Sequence, residues 1–238
     1  CHCMSYTVTH RTPLDTARAK AVNLARLPFE QGLFKTLAAS ATLESQIFES
    51  PVAFDDLVGS WNADLPPGSS LEMHAQARTE KGWTRWYSLG VASSTQFSSP
   101  QRQEDKDGWV DSDTLRLHRK AMAFRYRFEF QAGRRPAALR MAAVTVSDDS
   151  APAAPAAFKA GPWVRELKVR PRSQMEEQEK YKHDICSPAA LAAVLDYWGV
   201  RRDTIAIAKR GKDQRTGAFG NWSFNVAAAA SFGLEGWV

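Results

Sequence analysis

Residues Ala121 to Phe130, AMAFRYRFEF, decide how the N-terminal part of this chain folds. Phe124, Tyr126, Phe128 and Phe130 fall on one side, and Arg125, Arg127 and Glu129 on the other. A repeat of two is the side-chain period of a β-strand, so this segment reads as a strand with an aromatic inner face and a charged outer face. Working outward, Leu71, Met73, Ala75 and Ala77 alternate with Glu72, His74, Gln76 and Arg78 in the same way. Trp83 to Leu89 is rich in aromatics, which suit a pleated surface. Thr114 to Leu117 is a further short run, and Ala138 to Val146 closes the series. Turn residues at Pro66-Pro67-Gly68 and Lys106-Asp107-Gly108 punctuate these runs.

Several short strands at such spacing predict an antiparallel β-sandwich over 31–146. Residues 1–30 read as a weakly periodic tail, and 147–162, SDDSAPAAPAAFKAGP, as a Pro/Ala linker. Beyond it the pattern changes. Val164 to Val169 suits a strand, and then Leu191, Val194, Leu195 and Trp198 recur at helical spacing after Cys186. Pro188 fits the first turn of that helix and Gly199 its stop. A second helix is expected from an Asp203 cap through Ile207. A third is expected through Ser223–Ser231, with Asn221 and Trp222 capping and anchoring it and Gly233 ending it. The expected fold class is α+β in two domains, an antiparallel sandwich followed by a helical part at 163–238.

Composition narrows the functional classes. The chain has 238 residues, 44% apolar and 24% charged, with a net charge of +5. The basic residues are scattered, so no nucleic-acid partner is expected. No apolar run is long enough for a membrane span. The chain opens on Cys1 and closes on the apolar stretch Leu234-Glu235-Gly236-Trp237-Val238, which reads as a piece of a longer protein. No signal peptide is visible near the start. Of three cysteines, Cys1 and Cys3 sit together at the tip, and no CxxC pair exists, so neither a disulfide framework nor a metal or other cofactor is expected.

Cys186 stands alone at the start of a helix. Free N–H groups and the helix dipole there favour a thiolate, the nucleophilic form of cysteine, and can hold the oxyanion of an acyl intermediate. A small buried core residue is the alternative at such a position.

The stretch RSQMEEQEKYKHDICSPAALAAVLDYWG resembles the bacterial papain-like cysteine peptidases of family thirty-nine, the group that includes bacteriocin-leader peptidases. It is similar in particular to the stand-alone branch with a Cys-Ser-Pro helix start. GNWSFNVAAAASFGLEGWV resembles the same branch further on. FDDLVGSWNADLPPGSSLEM, GWTRWYSLG and VDSDTL resemble the N-terminal module of such proteins. The resemblance covers roughly residues 31–238. It implies that 163–238 is the front part of a papain-like domain and that Cys186 is the nucleophile. It also implies an upstream glutamine as oxyanion-hole donor, matched by Gln174 with Gln178 as the rival. The substrate would be a peptide or protein, and the protein bacterial and often secreted. A downstream histidine should act as general base, oriented by Asp or Asn. No histidine follows Cys186, and His183 lies too near it in the chain to serve, so the base is expected beyond Val238. Without it the chain is expected to be nearly inactive.

Other residues carry weaker signals. Trp61, Trp83 and Trp86 could form a stacking platform, although packing in a sandwich core is the simpler reading. Asp111 and Asp113 could bind calcium, although a turn role is simpler. Two alternatives to a peptidase stand: a cell-wall amidase of the same chemistry, and a non-catalytic protein whose sandwich binds a cell-surface ligand.

Overall fold

The computed structural model describes residues 5–148, 161–162 and 164–238. The Cys1-His2-Cys3 tip and most of the expected linker lie outside the described residues. Thirteen strands come first in the chain: β1 (Ser5–His10), β2 (Lys20–Val22), β3 (Leu24–Arg26), β4 (Phe34–Thr36), β5 (Ser40–Glu44), β6 (Phe48–Asp64), β7 (Ser70–Thr79), β8 (Gly82–Trp83), β9 (Tyr87–Ser93), β10 (Phe97–Ser98), β11 (Gly108–Asp111), β12 (Thr114–Gln131) and β13 (Ala138–Ser147). Among the described residues three α-helices follow: α1 (Cys186–Tyr197), α2 (Thr204–Gly211) and α3 (Trp222–Ser231).

The sheet network runs β10-β9-β7-β12-β6-β13-β4-β3, with β5 and β11 also on β12 and β1 on β13. Its folding into two faces comes from β12. Near its start, Thr114–Arg116 pair with Asp56–Val58 of β6; near its end, Arg127–Gln131 lie between β5 and β7. Register shifts at Arg116/Ala121 and Ala121/Ala123 separate these two stretches. Such irregularities bend a strand and let it pass from one layer to the other. They also explain why the sequence reads as two strands, Thr114–Leu117 and Ala121–Phe130, where the structure has one.

The inner face is the one the alternation predicts. Phe124, Tyr126, Phe128, Phe130, Leu71, Met73, Ala75 and Ala77 are all at most 1% exposed. Trp61 meets Phe128 edge to face at 6.5 Å. Residues 5–26, read as a tail, instead supply three strands, and β1 pairs along its whole length with β13. The alternation Tyr6/Val8 is too short to stand out, and only the partner strand reveals it.

The helical part is built onto this sandwich. Phe224 of α3 is fully buried and, with Ala227 and Ala228, belongs to the same apolar cluster as Trp61 and Phe128. It stacks on Phe97 at 5.2 Å and meets Trp61 at 6.2 Å. Gly90 makes the room: its φ is +136°, and a Cβ there would lie 2.9 Å from the Phe224 ring. Polar contacts follow the same seam. Ser223 Oγ donates to the Gly59 carbonyl at 2.6 Å. Asp113 accepts from the Trp222 amide at 2.8 Å, and Asn62 exchanges two hydrogen bonds with Gly236.

Three local expectations change. Val164 to Val169 is not a strand; Val164 and Leu167 are more than half exposed and no strand among the described residues pairs with it. Trp222 is 60% exposed, so the anchor of α3 is Phe224 and not Trp222, although Asn221 caps the helix as its residue type suggests. In α1 the buried face is Pro188, Ala189, Ala192, Ala193 and Leu195, while Val194 and Trp198 are exposed. Small residues let α1 approach α2 and α3 closely, so the bulkier ones are turned away.

Because Phe224 is part of the sandwich core, Phe224→Ala is expected to destabilise the chain by about 3–5 kcal/mol. Denaturant unfolding followed by far-UV and tryptophan signals should show both moving together. Unaltered sandwich stability would refute the shared core.

Candidate functional site

The backbone ahead of Cys186 is held by Ile185. That side chain is fully buried against Ile205 and Ala208, with Tyr181 and Phe219 packed beside them. Ile185 is also the N-cap of α1, and its side chain makes no capping bond. The first helical hydrogen bond runs from the Ala189 amide to the Ile185 carbonyl at 2.9 Å. Pro188 has no N–H to give. The amides of Cys186 and Ser187 therefore start the helix with no acceptor among the described residues. By contrast, Asp203 caps α2 and Asn221 caps α3. Cys186 itself is exposed and reduced. Its thiol makes no hydrogen bond or ion pair among the described residues.

Gln174 opens a single 3-10 turn, Gln174–Glu176, fixed by a hydrogen bond from the Met175 amide to Ser173 Oγ. One end of its side chain, Oε1, is buried without a partner. No hydrogen bond joins it to Cys186 among the described residues. Gln178 is exposed, and its carbonyl accepts from the Tyr181 and Lys182 amides.

The described histidines lie elsewhere or stand alone. His183 is exposed in the approach to α1. His10 is buried against the Tyr126 hydroxyl, where burial holds its pKa below the usual value against the opposing pull of Asp15. His74 lies on the outer face of β7 beside Glu72, and His118 packs on Trp109.

Behind the cysteine, Asn225 of α3 donates from Nδ2 to Ser187 Oγ at 2.8 Å and to the Phe219 carbonyl at 3.0 Å. Neither Asn225 nor Ser187 was singled out by the sequence. The available signal was one amide in the otherwise apolar run Phe224–Ala230.

Comparison with known families accounts for both parts of the chain. Residues 10–147 match the peptidase C39 N-terminal domain, and residues 166–236 match the peptidase C39-like family. The chain belongs to the C39-like peptidase family. No curated protein gives a significant match. Similar solved structures include a carbohydrate-binding module in complex with β-1,4-galactotriose, 14% identical, with a TM-score of 0.26 over 61% of this chain and 86% of that one. Another comes from carbohydrate-binding modules of the β-sandwich superfamily, 14% identical, with a TM-score of 0.26 over 62% of this chain and 57% of that one.

Two cavities border the helical part of this C39-like chain. One, of ≈ 360 Å³, is an apolar groove lined by Leu191, Val194, Trp198, Val226, Leu234 and Trp237. The other, of ≈ 310 Å³, lies on the seam and is lined by Asp111, Asp113, Arg116, Asp213, Asn221 and Trp222 among others. Cys186 lines neither. Asp113 caps α3 through the Trp222 amide, and Asp111 faces Arg116 at 3.9 Å. Ser112 between them has φ +57°, a left-handed turn position. Of the three tryptophans, Trp61 is core as expected, whereas Trp83 and Trp86 are half-buried on the outer face with the Arg125 guanidinium 5.0 Å from each ring. No helix among the described residues is long and apolar enough to cross a membrane.

Asp213 ties the segment before α3 to β10. Burial alone would raise its pKa. The Ser99 hydroxyl and amide, the Thr216 hydroxyl and the Arg215 amide outweigh that and hold the carboxyl below its usual range. Its bond from the Ser99 amide is 3.0 Å and that from Thr216 is 2.7 Å. A folded-state pKa below the unfolded value contributes stability that is full at neutral pH and is lost as pH falls below about 4. Asp213→Asn is therefore expected to lower the denaturation midpoint at pH 7, with the gap to the parent narrowing at pH 3. A gap that stays constant with pH would show that the charge contributes nothing.

Proposed function

We propose that this chain carries the chemistry of a cysteine peptidase, with Cys186 as nucleophile in the front part of a papain-like domain. The observation that supports it best is an exposed cysteine at a helix start with no side-chain cap, whose first two amides meet no acceptor among the described residues, in a chain of this family. In the reaction, Cys186 Sγ bonds to the carbonyl carbon of a peptide. The Cys186 amide and the side-chain amide of Gln174 hold the oxyanion. The C–N bond then breaks, the leaving amine takes the thiol proton through a base, and water releases the acyl group from sulfur. The base is a further residue of the catalytic machinery, since no histidine among the described residues contacts the thiol.

A peptidyl acyloxymethyl ketone tests the reading without requiring turnover. With labelling resolved by mass spectrometry, Cys186 should react at least about tenfold faster than Cys1 and Cys3 of the same molecule. Gln174→Ala should reduce that rate by about 10²-fold. Equal rates at the three thiols would overturn the proposal.

The second reading is a binding protein whose sandwich recognises a cell-surface polymer. It is favoured by the half-buried Trp83 and Trp86 on the outer face. Retention on insoluble cell-wall material that is lost in Trp86→Ala, together with unselective thiol labelling, would make it the better one.

A further inference from the structure

Asn225 is 4% exposed, in a helix whose other buried residues are Ser223, Phe224 and Ala227 to Ala230. Packing α3 on its neighbours needs no amide at this place. The Phe219 carbonyl can only accept, which fixes the end of the amide that faces it as Nδ2. Nδ2 therefore donates its second hydrogen to Ser187 Oγ. Oδ1 is left buried with no partner among the described residues. An orphaned buried acceptor carries a cost in stability that an alanine side chain would not.

The second helix, α2, accommodates the same side chain. At Gly211, the last residue of α2, a Cβ would lie 2.5 Å from Asn225 Oδ1. The glycine leaves the space the amide fills. Ser187 follows Cys186 directly in the first turn of α1, and Phe224 precedes Asn225 directly in α3, inside the sandwich core.

We infer that Asn225 is a positioning residue that fixes the first turn of α1 through Ser187 and so couples the sandwich to the Cys186 thiol. The inference rests on the reading of Cys186 as nucleophile. Asn225 and Ser187 touch neither substrate nor reacting atoms. They restrict the helix start that aims the thiol and the first two amides. The chain is continuous from sandwich to site: Phe224 in the core, Asn225 beside it, Ser187 across the interface, Cys186 next in sequence. Gly211 guards the arrangement from α2.

The test measures alkylation of Cys186 by iodoacetamide at one fixed pH in the intact chain, with Cys1 and Cys3 as internal references and denaturation midpoints recorded in parallel. Ser187→Ala, with a midpoint near the parent's, and Gly211→Ala, with a lowered one because its Cβ meets Asn225 Oδ1, should each slow Cys186 by about tenfold and leave the reference thiols unchanged. Ser187→Thr, which keeps the hydroxyl, should restore the parent rate, a rescue that general loosening of the fold would not produce. Asn225→Ala should match Ser187→Ala; if it fails to fold, the Ser187 pair decides. Parent-like or faster rates in Ser187→Ala and Gly211→Ala would overturn the inference while leaving the nucleophile reading intact. A parent Cys186 no faster than Cys1 and Cys3 would overturn both.

Discussion

Burial of the Phe224 ring between Phe97 and Trp61 is the contact on which the arrangement of this chain depends. It draws an aromatic side chain from the third helix into a core otherwise made by strands. An aromatic ring of this size dominates the energetics of any surface it enters. The consequence is geometric as much as energetic. Once Phe224 is seated, α3 cannot rotate, and its capping Asn221, its Ser223 hydroxyl and its Asn225 amide take fixed bearings toward Phe224's own amide, β6 and α1 respectively.

The sandwich is in turn shaped to receive it. Gly90 gives up a side chain at a left-handed backbone position, and β12 and β6 bend so that their inner faces converge on Trp61 and Phe128. The seam around the ring is polar and directional, with Asp113 on the first amides of α3, Asp213 on Ser99 and Asn62 on Gly236. Apolar burial supplies the attachment, and these hydrogen bonds fix its orientation. The family match to two successive segments thus corresponds to parts that share one core.

Much of this was legible beforehand. The aromatic alternation from Phe124 to Phe130 and the aliphatic one from Leu71 to Ala77 reported their burial correctly, because the period of a strand is strictly two and one face had to be dry. Asp203 and Asn221 announced helix starts because a side-chain oxygen just ahead of an apolar run has few other uses. Cys186 and Gln174 became candidates through local motif, and the structure adds that the start of α1 is open while its neighbours are capped. The strand at Ser5–His10, the outward turn of Val194 and Trp198, and the role of Phe224 were not legible. Each depends on a partner distant in sequence.

The sequence alone determined the class of protein: a half-buried β-rich part, a cysteine-led helix and the family to which they belong. Periodicity, caps and motif spacing are local properties, and the chain carries them wherever it goes. Only the tertiary structure decided that the two parts are one body and that Asn225 and Gly211 meet behind Ser187. Contacts across such separations follow from which surfaces find each other, and the residues concerned look ordinary until their partners are in place.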